Sequence, residues 1–386
     1  MLKRRLMTPG PTQVPEEARL AMARQVTHHR TPEFKRLFAE VLEGLKEVFQ
    51  TTHDVIALTS SGSGGMEAAL ANTVPRGDKI IVLEAGRFAE RWTDIGHAFG
   101  LEVIRHEVPW GKAVDPGDVA RLTSEHPDAV AVCSTLQETS TGVVHDLAAI
   151  GEVVGPTDAL LLVDAISGGG VVECRTDDWN IDLLVVGSQK ALMLPPGLAF
   201  VAVSDAAWQR IEAVEPQAFY FNLSTYRKKL DGGPDTPFTP AHTLLAALAE
   251  NLKQIHAEGI EAIWRRARRL ARATHAGIEA MGLELFAERP ADGVTAVRVP
   301  EGIDGLALPK RIEQRFGVKL AGGQAHLKGQ IFRIAHMGII DELDIIGTLF
   351  AIEAVLYEMG YQVHPGEAAA AASRVLAAAE EPVVAT

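Results

Sequence analysis

LLLVDAIS (residues 160–167) and LLVVGSQKALMLPPG (residues 183–197) decide how this chain is read. Each is a short apolar run that stops abruptly at polar residues, Asp164 in the first and Ser188-Gln189-Lys190 in the second. Such runs read as buried parallel strands whose carboxyl ends deliver side chains to a crevice. A carboxylate and an amine arriving at that rim suit pyridoxal phosphate chemistry. The lysine forms a Schiff base with the aldehyde, and the aspartate holds the pyridine nitrogen protonated so that the ring takes up electrons. Taken alone, the two segments read equally well as ordinary strand ends joined in a surface ion pair.

Working outward, strand and helix signals alternate. DVIALTSS, DKIIVLEAG, AVAVCST, ALLLVDAIS, DLLVVGS and LAFVAVS predict strands, and GGMEAALANTV and FAERWTDIGHAFG predict helices. From Glu33 to Phe49, apolar residues fall at 34, 37, 38, 41, 42, 45, 48 and 49, helical spacing with one buried stripe. This rhythm predicts an α/β fold with a mostly parallel sheet covered by helices on both faces. Beyond Thr239 the pattern changes to two long helices and a second α/β unit, with strands near TAVRVP and IFRIAHMG. The expected organisation is a Pro-rich N-terminal arm at 1–15, a large domain at 16–255, a smaller C-terminal domain at 256–364 and an Ala/Glu-rich tail at 365–386.

A length of 386 residues allows a large core. The net charge of −13, from 37 basic and 50 acidic residues, argues against non-specific nucleic-acid binding. The arginine run at 265–269 lies at helical spacing beside Ile263, Trp264 and Leu270 and reads as a solvated helix face. Cys133 and Cys174 sit in or beside apolar runs with no metal-ligand spacing, as buried thiols of a reducing compartment do. No apolar stretch approaches membrane-spanning length and the start lacks an apolar signal core, so a cytoplasmic protein without membrane contact is expected.

Three further segments test the cofactor idea. TSSGSGGMEAAL (59–70) is a strand end, a Ser/Gly turn and a helix start. Backbone N–H groups at a helix N-terminus, joined by the hydroxyls of Ser61 and Ser63, make a cradle for one phosphate. Its rivals are a plain turn and a dinucleotide site with Glu84 as the ribose-binding acid, although Gly62, Gly64 and Gly65 miss the dinucleotide spacing. STLQETSTGVVHDL (134–147) is another strand end, whose Glu138, Thr139, Ser140 and Thr141 could bond a cofactor or simply cap a loop. GQIFRIAHMG (329–338) places Arg333 within an apolar strand, where a fork of donors suits a substrate carboxylate and a structural salt bridge is the plainer alternative.

Together these segments resemble the class V, fold type I family of pyridoxal phosphate aminotransferases, particularly its alanine–glyoxylate and serine–glyoxylate (serine–pyruvate) branch. The resemblance spans roughly residues 6 to 360 and rests on MTPGPTQVP, HHRTPEF, SSGSGGMEAAL, QETSTG, VDAIS, GSQKALMLPPG, TPFTPAHTLLAAL and FRIAHMG, in that order. It implies a large domain with a mostly parallel central sheet plus a smaller α/β domain, pyridoxal 5'-phosphate as cofactor, and a homodimer with sites at its interface. Lys190 would be the Schiff-base lysine and Asp164 the partner of the ring nitrogen. Ser61, Gly62 and Ser63 would hold the phosphate with Gln189 nearby, and Thr139 would bond the ring substituents. Phe88 falls where a Trp often stacks on the ring. Thr239 would reach the phosphate of the neighbouring subunit, and Thr236 replaces a Tyr that makes the same contact in some members. Arg333 would bind the α-carboxylate, with the backbone around Gly10 closing one wall.

The implied reaction moves an amino group from a small amino acid, serine or alanine, to glyoxylate or pyruvate. An aspartate donor would need a second cation, for which His326 and Lys328 are the candidates. A desulfurase is disfavoured because the loop AGGQAHLKG carries no cysteine. Two readings from other classes are a nucleotide-binding oxidoreductase built on SSGSGG and Glu84, and a non-catalytic subunit of a larger assembly. His28, His29 and Arg30 either serve the active site or cap and pack the helix that follows them, the structural role being the expectation.

Overall fold

The computed structural model describes residues 3–378. Seven strands form its central sheet: β1 (Asp54–Leu58), β2 (Lys79–Glu84), β3 (Glu102–Glu107), β4 (Ala129–Thr135), β5 (Leu160–Asp164), β6 (Leu183–Gly187) and β7 (Ala199–Val203). Their spatial order is β1-β7-β6-β5-β4-β2-β3. The pairs β2–β3, β2–β4, β4–β5 and β5–β6 are parallel, whereas β7 runs antiparallel to both β1 and β6. The sheet is therefore mostly parallel, as the alternation predicts. Every residue of β5, β6 and β7 is buried, the condition that makes unbroken runs of Leu and Val favourable there.

The edge strand β3 is absent from the expected strands. Its sequence, EVIRHE, alternates exposed and half-buried positions and carries four titratable side chains, so it shows no apolar run.

The helix Gly62–Thr73 lies close against the sheet because glycines face it. A Cβ on Gly65 would lie 2.7 Å from Cγ1 of Val185 in β6 and 3.3 Å from Cβ of Ala199 in β7. Gly65 thus lets the helix come down onto the strands.

Past β7, the long helices His242–Glu258 and Ile260–Ala280 lead to a three-stranded antiparallel sheet of Val294–Arg298, Ile331–Ala335 and Ala321–Gly322. The arginine run faces solvent at its tips and is spent on ion pairs: Arg266 with Glu258 at 2.6 Å, Arg268 with Asp292 at 3.1 Å and Arg269 with Glu342 at 2.6 Å. Within the tail, Glu367–Ala377 is a helix packed on Ile260–Ala280, and residues 379–386 lie outside the described residues.

The N-terminal arm is integral to the packing. Arg5–Leu6 pairs in parallel with Val318–Lys319, the Met7 carbonyl accepts from Ala335 N–H at 2.9 Å, and the Met7 side chain is fully buried. Among the described residues no helix is long and apolar enough to cross a membrane. Cys133 and Cys174 are both buried and free.

A Gly65→Ala variant should be destabilised by about 1–3 kcal/mol, because the added methyl forces helix and sheet apart. Urea unfolding monitored by circular dichroism measures this; an unchanged midpoint would mean that the helix is not held by this close approach.

Candidate active site

Asp164 ends β5 at the centre of the sheet, in register with Thr135 of β4 and Val185 of β6. It is 4% exposed, and its Oδ1 accepts the Ile166 N–H at 2.8 Å. Burial pushes its pKa up to about 7, and the Ile166 hydrogen bond works against that shift. Lys190 follows the neighbouring strand β6 by three residues and is 9% exposed. Burial lowers its pKa to about 8, opposed by the attraction of Asp164. Two adjacent parallel strands thus end in a buried acid and a buried base. A surface ion pair, the plainer alternative, is excluded by their burial.

The arm closes over this lysine. Nζ of Lys190 donates to the Pro9 carbonyl, Thr12 Oγ1 donates to the Lys190 carbonyl at 2.8 Å, and the Thr12 N–H donates to the Gln189 carbonyl at 3.1 Å. Gly10 has φ +122°, and a Cβ there would lie 2.5 Å from Nζ of Lys190. Only glycine fits against the amine at this point.

Ser61 caps the helix Gly62–Thr73 without a side-chain capping bond, which leaves its hydroxyl uncommitted to the helix. Ser61, Gly62 and Ser63 line a cavity of about 100 Å³. Phe88, Thr139, Asp164, Gln189 and Lys190 line the same cavity. Oε1 of Gln189 is buried there without a hydrogen-bond partner. An anion cradle, an amine, a carboxylate and an orphaned amide oxygen around one enclosed space fit a phosphorylated pyridine aldehyde.

Arg333, 5% exposed, lies outside that cavity lining but is joined to it. Its Nη1 donates to the Thr139 carbonyl at 2.7 Å, and Nε and Nη2 donate to the Gly322 carbonyl at 3.0 and 2.8 Å. No carboxylate pairs with it among the described residues, so the structural salt bridge weighed for it is not present. Burial lowers its pKa to about 10, and Glu138 opposes the shift. Three of its five N–H donors are engaged, which leaves a buried cation with donors to spare.

Sequence reasoning missed Arg91, Gln137 and Ser167, which also line the cavity. Arg91 stands one helical turn past Phe88, with its guanidinium 5.4 Å from that ring. Ser167 closes the quoted VDAIS run, and its Oγ accepts from Thr139 Oγ1 at 2.5 Å.

Several expected residues lie elsewhere. Thr239 is exposed and Gly10 touches the lysine from outside the lining. Thr236 is buried with its hydroxyl donating to the Phe238 carbonyl at 2.7 Å. Arg30 donates to the Thr236 carbonyl at 2.8 Å and pairs with Asp235, His28 stacks on His29, and Thr31 is the residue that caps the following helix. Helix capping by 28–30 is therefore corrected to Thr31, with Arg30 tying the helix start to the 235–236 loop. His326 packs against Trp110, and neither it nor Lys328 lines the cavity. Glu84 accepts from Arg105 Nη2 at 2.5 Å and from Thr93 Oγ1 at 2.8 Å. Its carboxylate is spent on the sheet edge, so the nucleotide reading loses its ribose-binding acid.

The chain is similar to known proteins along almost its whole length. The chain is 42% identical over 383 residues to the "Soluble hydrogenase, small subunit" of Synechococcus sp., covering 98% of this chain and 99% of that protein. It is 35% identical to the serine–glyoxylate aminotransferase of Methylorubrum extorquens, covering 96% and 95% of the two chains. The crystal structure of the ureidoglycine–glyoxylate aminotransferase of Bacillus subtilis superposes with a TM-score of 0.92 at 33% identity, covering 97% of this chain and 98% of that one. Residues 8–337 match the family described as Aminotransferase class-V. With a fold type I architecture and a buried lysine–aspartate centre in place, the chain belongs to the class-V aminotransferases.

Proposed function

We propose that this aminotransferase works with pyridoxal 5'-phosphate at Lys190 and moves an amino group from serine or alanine to glyoxylate or pyruvate. The carrying observation is the single enclosed cavity that gathers Lys190, Asp164 and the Ser61–Ser63 helix start. Names of the similar enzymes support glyoxylate as acceptor and serine as one donor. The intact lysine, aspartate and arginine favour catalysis over a purely structural subunit role, whatever the Synechococcus relative is called.

When bound, the cofactor supplies an aldehyde that captures amines and a protonated ring that withdraws electrons from the substrate α-carbon. Ser61, Gly62, Ser63 and Gln189 would hold its phosphate, and Phe88 and Thr139 would hold its ring. Asp164 keeps positive charge at the ring nitrogen, a role suited to a carboxylate buried at a strand end. Arg333 binds the α-carboxylate with its free donors. Lys190 would hold the cofactor through Nζ, and the same nitrogen would serve as the base for the substrate α-proton. The Pro9–Thr12 segment keeps water from the amine.

This reading includes a homodimer, with the exposed Thr239 reaching a neighbour's phosphate, and a cytoplasmic setting in which two buried thiols stay reduced. It also includes the arm at 1–15, the cofactor domain at 16–255, the small domain at 256–364 and the tail at 365–386 as the units of organisation.

Lys190→Ala should abolish turnover and, after borohydride treatment in saturating coenzyme, carry no added mass at residue 190. An active variant would overturn the assignment. The protein freed of coenzyme should capture added pyridoxal phosphate at a rate that rises with pH through about 8, because only the neutral amine attacks and its pKa is lowered to about 8. Stopped-flow absorbance measures this; a rate still climbing tenfold per unit past pH 9 would place the amine in solvent. A half-reaction screen should give the fastest bleaching of the bound chromophore with serine or alanine, and aspartate leading would reverse the donor choice.

A further inference from the structure

Glu138 is a carboxylate with no exposure to solvent, and no cation pairs with it among the described residues. Burying such a group is costly unless hydrogen bonds replace its water. Here four donors do so. Oε2 accepts the backbone N–H groups of Phe88 at 3.1 Å and Ala89 at 3.0 Å. Oε1 accepts the Ser140 N–H at 2.9 Å and the Ser140 hydroxyl at 2.6 Å. A glutamine would have to turn an N–H₂ toward one of these donor pairs, so the site is built for a carboxylate.

What this carboxylate ties together is specific. Phe88 and Ala89 lie just before the helix Glu90–Ala98, and Phe88 lines the cavity beside Lys190. The next residue along from Glu138, Thr139, gives its hydroxyl to Ser167 in the same cavity and its carbonyl to Arg333. One buried carboxyl group therefore anchors both the aromatic wall of the cofactor space and the carbonyl to which the candidate carboxylate-binding arginine is bonded. The fit is tight: a Cβ on Gly86 would lie 2.5 Å from Cγ and 2.6 Å from Cδ of Glu138.

We propose that Glu138 is a positioning residue of the reaction, holding the Phe88 ring in its place against the cofactor through the backbone N–H groups of Phe88 and Ala89. The proposal rests on the pyridoxal phosphate reading above. A turn whose two consecutive N–H groups are held by one buried acceptor presents its aromatic ring without losing freedom when the cofactor arrives, and pre-organisation of this kind appears in binding affinity. The residue touches neither cofactor nor substrate and acts through Phe88.

The test uses the full-length protein and its Glu138→Gln and Phe88→Ala variants, singly and combined. Each is measured for coenzyme affinity by titration after coenzyme removal, and for the visible circular dichroism of bound coenzyme. Glu138→Gln should keep its far-ultraviolet circular dichroism and its borohydride-fixed coenzyme at Lys190, yet lose at least tenfold in affinity and alter the visible band. The combined variant should lose no more than the weaker-binding single variant, because both changes remove one interaction. Unchanged affinity and visible band in Glu138→Gln, or losses that multiply in the combined variant, would overturn the proposal. Should Glu138→Gln fail to fold, Gly86→Ala decides alone, since its methyl displaces the carboxylate without altering its charge. The same affinity loss and band change support the proposal, and wild-type behaviour overturns it. Failure of the unaltered protein to retain coenzyme at Lys190 would sink the cofactor reading itself, an outcome separate from these.

Discussion

Withdrawal of Asp164 and Lys190 from water governs the architecture around them. A carboxylate at the end of β5 and an amine just past β6 are each pushed toward neutrality by burial. Their mutual attraction opposes that push, and a bound cationic ring nitrogen would reinforce it at Asp164. Buried charges without such partners are expensive, so the surrounding chain is arranged to supply them. The lysine borrows the Pro9 carbonyl, the aspartate borrows the Ile166 N–H, and Arg333 borrows two carbonyls.

The same constraint explains why remote segments converge here. Parallel strands end on one side of the sheet, so β1, β4, β5 and β6 together offer several chain turns at a single rim. Gly65 brings the helix Gly62–Thr73 onto β6 and β7, and Gly62 brings its start against Ile166 just past β5. Gly10 lets the arm approach the amine more closely than any side chain allows. The arm is in turn stitched to the smaller sheet through Met7 and Ala335. The lysine is thereby enclosed between the central sheet and an arm held by the smaller sheet, an arrangement suited to excluding water from a basic nitrogen.

Much of the site was legible beforehand because its chemistry sits at abrupt changes in hydrophobicity. Asp164 and Lys190 end apolar runs, Ser61–Ser63 interrupt a strand–helix junction, and Arg333 stands within an apolar strand. Arg91 and Gln137 gave no such signal: one is an arginine on an amphipathic helix, the other a polar residue among several. Glu84 illustrates the opposite error, since a strand-end acid looked available until Arg105, on the neighbouring edge strand, was seen to occupy it. That strand itself was invisible because an edge exposes one face and tolerates charge.

The amino-acid order alone determined the alternation of strands and helices, the apolar identity of the central strands and the residue types at their ends, all properties of local spacing. Tertiary structure decided the antiparallel entry of β7, the docking of the arm on Lys190, the donors gathered around Glu138 and the direction of each titration shift. These depend on which distant segments meet and on how much water they displace, quantities that no local window of sequence contains.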